Sequence, residues 1–426
     1  MSGATLRSSY SGAFDPEFEI GDFSRQALAT LGREVLLIGH LQDRVGLPLA
    51  AKRFGADAWV ELSIDEWMSA SPLYSKRMQR ALRFEGSDVG TVFKNLQLDI
   101  GAPHQFMDFQ FRLDGPESGE FWLPHCGALM DVEPFGEKQV VRMCHHIEDP
   151  TFDATAAAAS PRMRMRPIHR PPRVPADRTP HCRWKVFLDD EGAAQPPHPH
   201  RDRVARARIA AVPVRAPRAE RESGGRPDYS GPFDPRFQLE DLSHRALCIV
   251  HQELAVQIHL LARAFLLAIG ARHGDEAAAE IGRGQWTGIA ALAAERLRRA
   301  AGIEGDGIEA IAKVFQLHPH FQPRTYVDLQ VELHGAAARV SIRDCPALAE
   351  GDRYSWLAGL GRAPHPALDA IAGIVNPRAR CLPVEAPDAA LAWDVEIDPG
   401  AAPREEPPEL RLARLSRGAA WRFRTP

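Results

Sequence analysis

The chain carries one pattern twice. YSGAFDPEFEIGDFSRQAL begins at Tyr10 and YSGPFDPRFQLEDLSHRAL begins at Tyr229, and the match needs no gap. Trp67 answers Trp286, and VFKNLQLD at Val92 is set against VFQLHPHF at Val314. MDFQFRLDG at Met107 matches VDLQVELHG at Val327, HCGAL at His125 matches DCPAL at Asp344, and FDATAAAASPR at Phe152 matches LDAIAGIVNPR at Leu368. Matches that recur in one order are the mark of a tandem duplication. A duplication constrains the fold strongly, because whatever one copy builds the other must build too. It also implies that the halves pair inside the chain, as two subunits of a dimeric ancestor would.

The expected division follows from this pattern: a first repeat over 10–190, a Pro- and Arg-rich linker over 191–227, a second repeat over 228–398, and a Pro- and charge-rich tail over 399–426. Within each repeat, helical spacing comes first. FSRQALATLGREVLLIGHLQDRVG and HRALCIVHQELAVQIHLLARAFLLAIG are the clearest runs. A second helix covers DAWVELSIDEWMSASP or EAAAEIGRGQWTGIAALAAERL, and a shorter third covers VGTVFKNLQL or GIEAIAKVFQL. The period then changes to two. FMDFQFRLDG and GEFWLPHCG read as strands joined across DGPESG, a helix starts near Glu137, and RMRMRPI and CRWKVFLD supply further strands. The expectation is an α+β class: N-terminal helices followed by a small antiparallel sheet with an inserted helix, made twice.

Composition narrows the function. A formal net charge of −4 over 426 residues does not suggest a nucleic-acid binder. The arginines of 192–227 lack interleaved aromatic residues for base stacking, so that stretch reads as an extended, solvated linker. No continuous apolar run reaches the length of a membrane span, and the start lacks a basic-then-apolar leader. Six scattered cysteines in a chain this long read as reduced thiols, which implies a cytoplasmic setting.

The two copies also test each other. Cys126 is matched by Cys345, Asp153 by Asp369 and Pro161 by Pro377, so these residues can serve the fold. His125 faces Asp344, Cys144 faces Leu360, His145 faces Gly361, His146 faces Arg362, Glu148 faces Pro364 and Asp149 faces His365. His169 faces Glu385, and Cys182 falls opposite Leu391 when Trp184 is set against Trp393. A polar set confined to one copy is not demanded by the fold and marks chemistry or a contact between the halves.

In that set, Cys144 with Glu148 and His145 with Asp149 are four apart and share a helix face. Such pairs can bind a metal or activate water, so Cys144, His145, Glu148 and Asp149 are the catalytic candidates. A divalent metal such as zinc is expected on some of His125, Cys126, Cys144, His146, His181 and Cys182, although no C-x-x-C or H-E-x-x-H is present. His169, Arg170 and Arg173, on a Pro-rich stretch, are the candidates for binding a small acidic substrate through a bidentate clamp.

The order of these parts resembles the L-2-amino-thiazoline-4-carboxylic acid hydrolase family. The matching pieces are HCGAL with Cys126, VVRMCHHIED with Cys144 and Asp149, MRMRPI, and HCRW with Cys182. The resemblance implies hydrolytic opening of a cyclic C–N bond in a small sulfur-containing carboxylic acid, with Cys144, Asp149, His145 and Arg170 as first candidates for nucleophile or metal ligand, base and clamp. The chain departs from the pattern: Gly127 follows Cys126 where Pro is usual, and the duplication is additional. Two other readings stand beside a hydrolase. One is a metal- or thiol-sensing protein that binds a small ligand. The other is a cluster that merely holds the halves together.

Overall fold

The computed structural model describes residues 6–424. The first copy contains α1 (Arg25–Leu41), α2 (Asp43–Phe54), α3 (Ala56–Ala81), α4 (Val89–Leu96), β1 (Gln110–Gly115), β2 (Ser118–Leu123), α5 (Gly127–Val132), α6 (Glu137–Val141), α7 (Glu148–Ala156), β3 (Met163–His169) and β4 (Cys182–Leu188). Two short helices follow, α8 (Arg201–Ala205) and α9 (Arg208–Ala211). The second copy contains α10 (His244–His273), α11 (Asp275–Ala300), α12 (Ile308–Leu317), β5 (Leu329–His334), β6 (Ala337–Ile342), α13 (Pro366–Val375), β7 (Ala379–Val384), β8 (Leu391–Ile397) and finally α14 (Pro408–Ala413). Each copy builds a four-stranded antiparallel sheet, ordered β1-β2-β4-β3 and β5-β6-β8-β7. The α+β class expected from the sequence is what forms.

The repetition reaches single hydrogen bonds. Ser24 and Ser243 cap α1 and α10 by accepting from Ala27 N and Ala246 N, each at 3.3 Å. Gly55 and Gly274, with φ of +96° and +89°, take the left-handed conformation that turns each copy into its second long helix. Asp153 accepts from Met165 N at 2.8 Å, and Asp369 accepts from Cys381 N at 2.9 Å. This matched pair therefore ties a helix to a strand. Cys182 lies opposite Leu123 and Leu391 lies opposite Ile342, so Cys182 and Leu391 occupy the same site of their sheets.

At the third helix the sequence match is corrected. Setting Val92 against Val314 followed the shared letters. The geometry instead pairs Lys94 with Lys313 and Gln97 with Gln316, because those side chains make equivalent bonds. Tyr229 donates to Gln97 Oε1 at 2.7 Å, and Tyr10 donates to Gln316 Oε1 at 2.8 Å. Lys94 donates to Tyr229 O at 2.9 Å, and Lys313 donates to Gly12 O. The YSG-FDP arm of each copy therefore docks on the short helix of the other copy.

Part of the stretch after the first sheet, residues 201–212, is not an extended, solvated linker but carries α8 and α9. Val204, Ile209 and Val212 are buried, with Val204 fully so. Arg77 on α3 donates to Ala210 O at 2.8 Å and Val212 O at 2.9 Å, and pairs with Glu253 on α10. Arg296 on α11 does the same at the other end of the molecule: it donates to Ala419 O at 3.0 Å and Trp421 O at 3.2 Å, and pairs with Glu34 on α1. Residues 201–212 and 408–421 are thus equivalent straps, each crossing the helices of both copies. The stretch looked polar because its few apolar residues sit at irregular spacing.

Helix α10 is long and apolar enough to cross a membrane by length and composition, but 89 % of its most apolar window is buried within the protein. It is the central core helix, packed on α1, α3 and α11. Its first-copy counterpart is broken after Leu41 into α1 and α2, and α2 contains Pro48 where α10 has Leu267.

Candidate functional site

The copies diverge most between the second and third strands. The first copy turns from α5 into a continuous helical run, α6 and α7 joined by a π-helical turn at Arg142–Ile147. A π-helical turn inserts a residue into the i→i−4 ladder and re-aims side chains, and such turns cluster at functional sites. The second copy has only the short 3-10 turn Trp356–Gly359 before α13 opens at Pro366. Cys144, His145 and His146 lie in that extra turn, and Glu148 and Asp149 begin α7.

Several of the sequence candidates converge. Cys126 ends the β2–α5 loop, and its Sγ caps α5 by accepting from Leu129 N at 3.3 Å. Its own N–H donates to His181 Nδ1 at 3.2 Å. His181 leads into β4, which places Cys182 beside β2, and the rings of His125 and His181 lie 5.9 Å apart. Cys126, Cys144 and Cys182 are all buried, and Glu148 acts electrostatically on each of them. Desolvation pushes the Cys126 thiol up to about 12, and raises Cys144 and Cys182 well above the ordinary thiol value, with Glu148 reinforcing the shift in each case. The thiols rest protonated. Glu148 is only partly buried, yet desolvation raises its carboxyl to about 8 against the pull of Arg170. Arg170 pairs with Asp149, donates to Cys144 O at 3.3 Å and lies over the Trp184 ring at 5.8 Å.

Other candidates are engaged elsewhere. His145 donates from Nε2 to Pro171 O at 2.7 Å, which pins the Pro-rich loop to the π-helical turn. His146 is exposed. His169 sits at the irregular end of β3, and burial lowers its pKa, with Arg178 and Arg183 adding to the effect. Arg173 is held by Glu133 through two bonds of 2.8 Å, so Arg170 and Arg173 do not form one free clamp. Among the described residues, no three His, Cys, Asp or Glu side chains are arranged to hold a metal ion. The zinc expected on His125, Cys126, Cys144, His146, His181 and Cys182 thus has no ligand cluster among the described residues.

The sequence reading missed a second buried polar group next to the first. Trp67 donates to Asp43 Oδ2 at 3.0 Å, and Tyr74 donates to Asp99 Oδ1 at 3.0 Å. Burial raises Asp43 and Asp99 each to about 6. Glu66 is fully buried, and neither carboxyl oxygen has a hydrogen-bond partner among the described residues. Its pKa stands well above the usual carboxylate range, first from burial and then from Asp43 and Asp65. Arg44 links the two groups: it pairs with Asp131 at 3.0 Å and acts on Glu66, Asp43 and Cys126. A signal was available. In the second copy Glu66 becomes Gln285, Asp43 becomes Ala262 and Asp99 becomes His318. There Gln285 Oε1 accepts from Trp356 Nε1 at 3.0 Å, and the rings of Trp286 and Trp356 stack 6.4 Å apart within 1° of parallel. The second copy fills with rings what the first fills with carboxyls.

A groove of about 1080 Å³ lies over α2, α11 and α13 and contains none of these residues. Three of its arginines are already paired, Arg53 with Glu280, Arg404 with Asp369, and Arg414 with Glu295 and Glu406. In comparisons with known proteins, no family model, no curated protein and no solved structure matches the chain.

Proposed function

We propose that the first repeat is the working half of the molecule: a hydrolase-like site for a C–N bond of a small carboxylic acid, with Glu148 as its proton-transfer group. One observation carries this reading. A partly exposed carboxyl raised to about 8 stands among three protonated thiols and a guanidinium, beside a helical turn that the second repeat does not form. A carboxyl with a pKa close to working pH is suited to both halves of acid–base catalysis.

At neutral pH Glu148 holds its proton. It donates that proton to the departing nitrogen while water adds its oxygen to the carbon, and the resulting carboxylate takes the proton that the water releases. The net change is one water consumed, one C–N bond broken, and Glu148 restored. Cys126, Cys144 and Cys182, kept as thiols by burial, form the low-dielectric lining that holds Glu148 protonated. Arg170 is the cation that a substrate carboxylate meets, in competition with Asp149. The resemblance to thiazoline-carboxylate hydrolases supplies the substrate class and the paired copies supply the contrast, while the second repeat serves as scaffold.

The test is turnover of a panel of small cyclic amino and thio acids, 2-aminothiazoline-4-carboxylate among them, followed by proton NMR. The expected result is conversion by the wild type and a loss of about 100-fold in Glu148→Gln, with Cys182→Ser retaining most activity. Conversion that survives Glu148→Gln unchanged, or a wild type inert across the panel, removes the reading.

A further inference from the structure

Residues 416–424 lie against the first repeat, although that repeat closes its sheet at Leu188. Ser416 Oγ donates to Asp131 Oδ2 at 2.6 Å, and Arg417 N donates to Asp131 Oδ1 at 2.9 Å. Asp131 is on α5, the helix that Cys126 caps, and its other partner is Arg44. The Trp421 ring stacks on His125 at 5.3 Å and 16°, and meets Phe106 edge-on at 5.5 Å. Gln105, held at a φ of +63°, exchanges two bonds with Arg424: its Nε2 donates to Arg424 O at 3.1 Å, and its Oε1 accepts from Arg424 N at 2.7 Å. A non-glycine residue in the left-handed region is strained and persists where neighbours enforce it. Gly418 packs so tightly that an added Cβ would stand 2.7 Å from Leu41 Cδ2.

We infer that residues 416–424 form a wall of the first-repeat site, with Trp421 and Ser416 as positioning residues. Trp421 fixes the plane of His125. Ser416, through Asp131, holds α5 and the Arg44 guanidinium in register with Cys126. Two buried ring nitrogens at this wall, His125 Nε2 and Trp421 Nε1, have no partner among the described residues, and a group bound there would satisfy both. The inference rests on the reading of the first repeat as the working half, but its test needs no turnover.

The full-length chain is compared with Trp421→Ala, Trp421→Phe and Ser416→Ala. The first readout is the titration of His125, assigned in histidine-labelled protein by comparison with His125→Gln. The groups acting on His125 are Asp108, Arg417 and Arg424, its desolvation is the largest influence, and His125 in turn acts on His181. Losing the indole admits water, so Trp421→Ala raises the His125 pKa toward its ordinary value, while Trp421→Phe keeps the stacked ring and holds it low. The second readout is the rate at which a small alkylating reagent labels Cys126, located by mass spectrometry. It rises about tenfold in Trp421→Ala and in Ser416→Ala as the wall opens locally. If Trp421→Ala does not fold, Ser416→Ala, which removes two hydrogen bonds, to Asp131 Oδ2 and from Gly418 N, and little packing, carries the labelling test alone. Wild-type labelling of Cys126 in the folded variants, with an unmoved His125 titration in Trp421→Ala, overturns the inference. Failure of Glu148→Gln to affect turnover would remove the hydrolase reading and leave these two readouts as they are.

Discussion

At Glu148, desolvation competes with the attraction of Arg170, and desolvation wins. The consequence for stability has a definite sign. Between its ordinary value of 4.5 and about 8, the folded chain keeps a proton that the unfolded chain has released. Stability therefore falls as pH rises through that window and levels off above it. Glu148→Gln removes this titration. Urea unfolding at pH 5 and at pH 8 is expected to show the wild type losing on the order of 1–3 kcal/mol relative to the variant, a figure reduced for the partial exposure of the carboxyl. Equal pH dependence in the two proteins would mean that Glu148 is solvated and ordinary. At this scale the sequence was informative where the copies differ in chemistry. Cys144, Cys182 and Glu148 stood out because their counterparts are Leu360, Leu391 and Pro364, whereas Cys126 is matched by Cys345. Glu66, inside the long helix α3, and Asp43, at the start of α2, were passed over because charged residues on helices are usually solvated; only the packing shows that both are buried.

Among the elements, the matched arginine clamps offer the sharpest test. Arg77 and Arg296 each join a carboxylate of the other copy to the carbonyls of a strap. Removing either arginine strips a buried carboxylate, Glu253 or Glu34, of its hydrogen-bonded ion partner, leaving Glu34 only the 3.6 Å contact with Arg299, at a cost of about 3–5 kcal/mol. Arg77→Ala and Arg296→Ala are expected to lower the urea midpoint by similar amounts, and limited proteolysis should then cut near 206–215 in the first and near 415–424 in the second. A loss in one variant only would break the equivalence of the straps. Asp153→Ala, which frees Met165 N from its acceptor, should cost about 1–2 kcal/mol in the same assay. The helices and strands were legible because their periodicities are strong. The straps were not, because a few buried side chains among prolines and arginines make no period, and what holds them is backbone carbonyls that any sequence supplies.

For the whole molecule, the exchange of arms and straps means that neither half has a complete surface of its own. Tyr10 needs Gln316, Tyr229 needs Gln97, and each strap crosses both sets of helices. Two fragments, 1–217 and 218–426, are expected to assemble one-to-one when made together, as seen by native mass spectrometry, and to be unstable when made separately. A first fragment that is monomeric and cooperatively folded alone would show that the exchange is dispensable. The duplication foretold that the copies would pair, since like units share like surfaces. It did not foretell the exchange, because which copy an arm reaches depends on the path of the chain rather than on its composition. That path also sets a timetable for synthesis. The arm at Tyr10 leaves the ribosome before its partner Gln316, which follows 306 residues later. At roughly 5–20 residues per second, the arm waits about 15–60 seconds for its partner. Throughout that interval, the newborn chain presents an aromatic arm with nowhere to dock, and a chaperone or a neighbouring copy on the same message has time to find it.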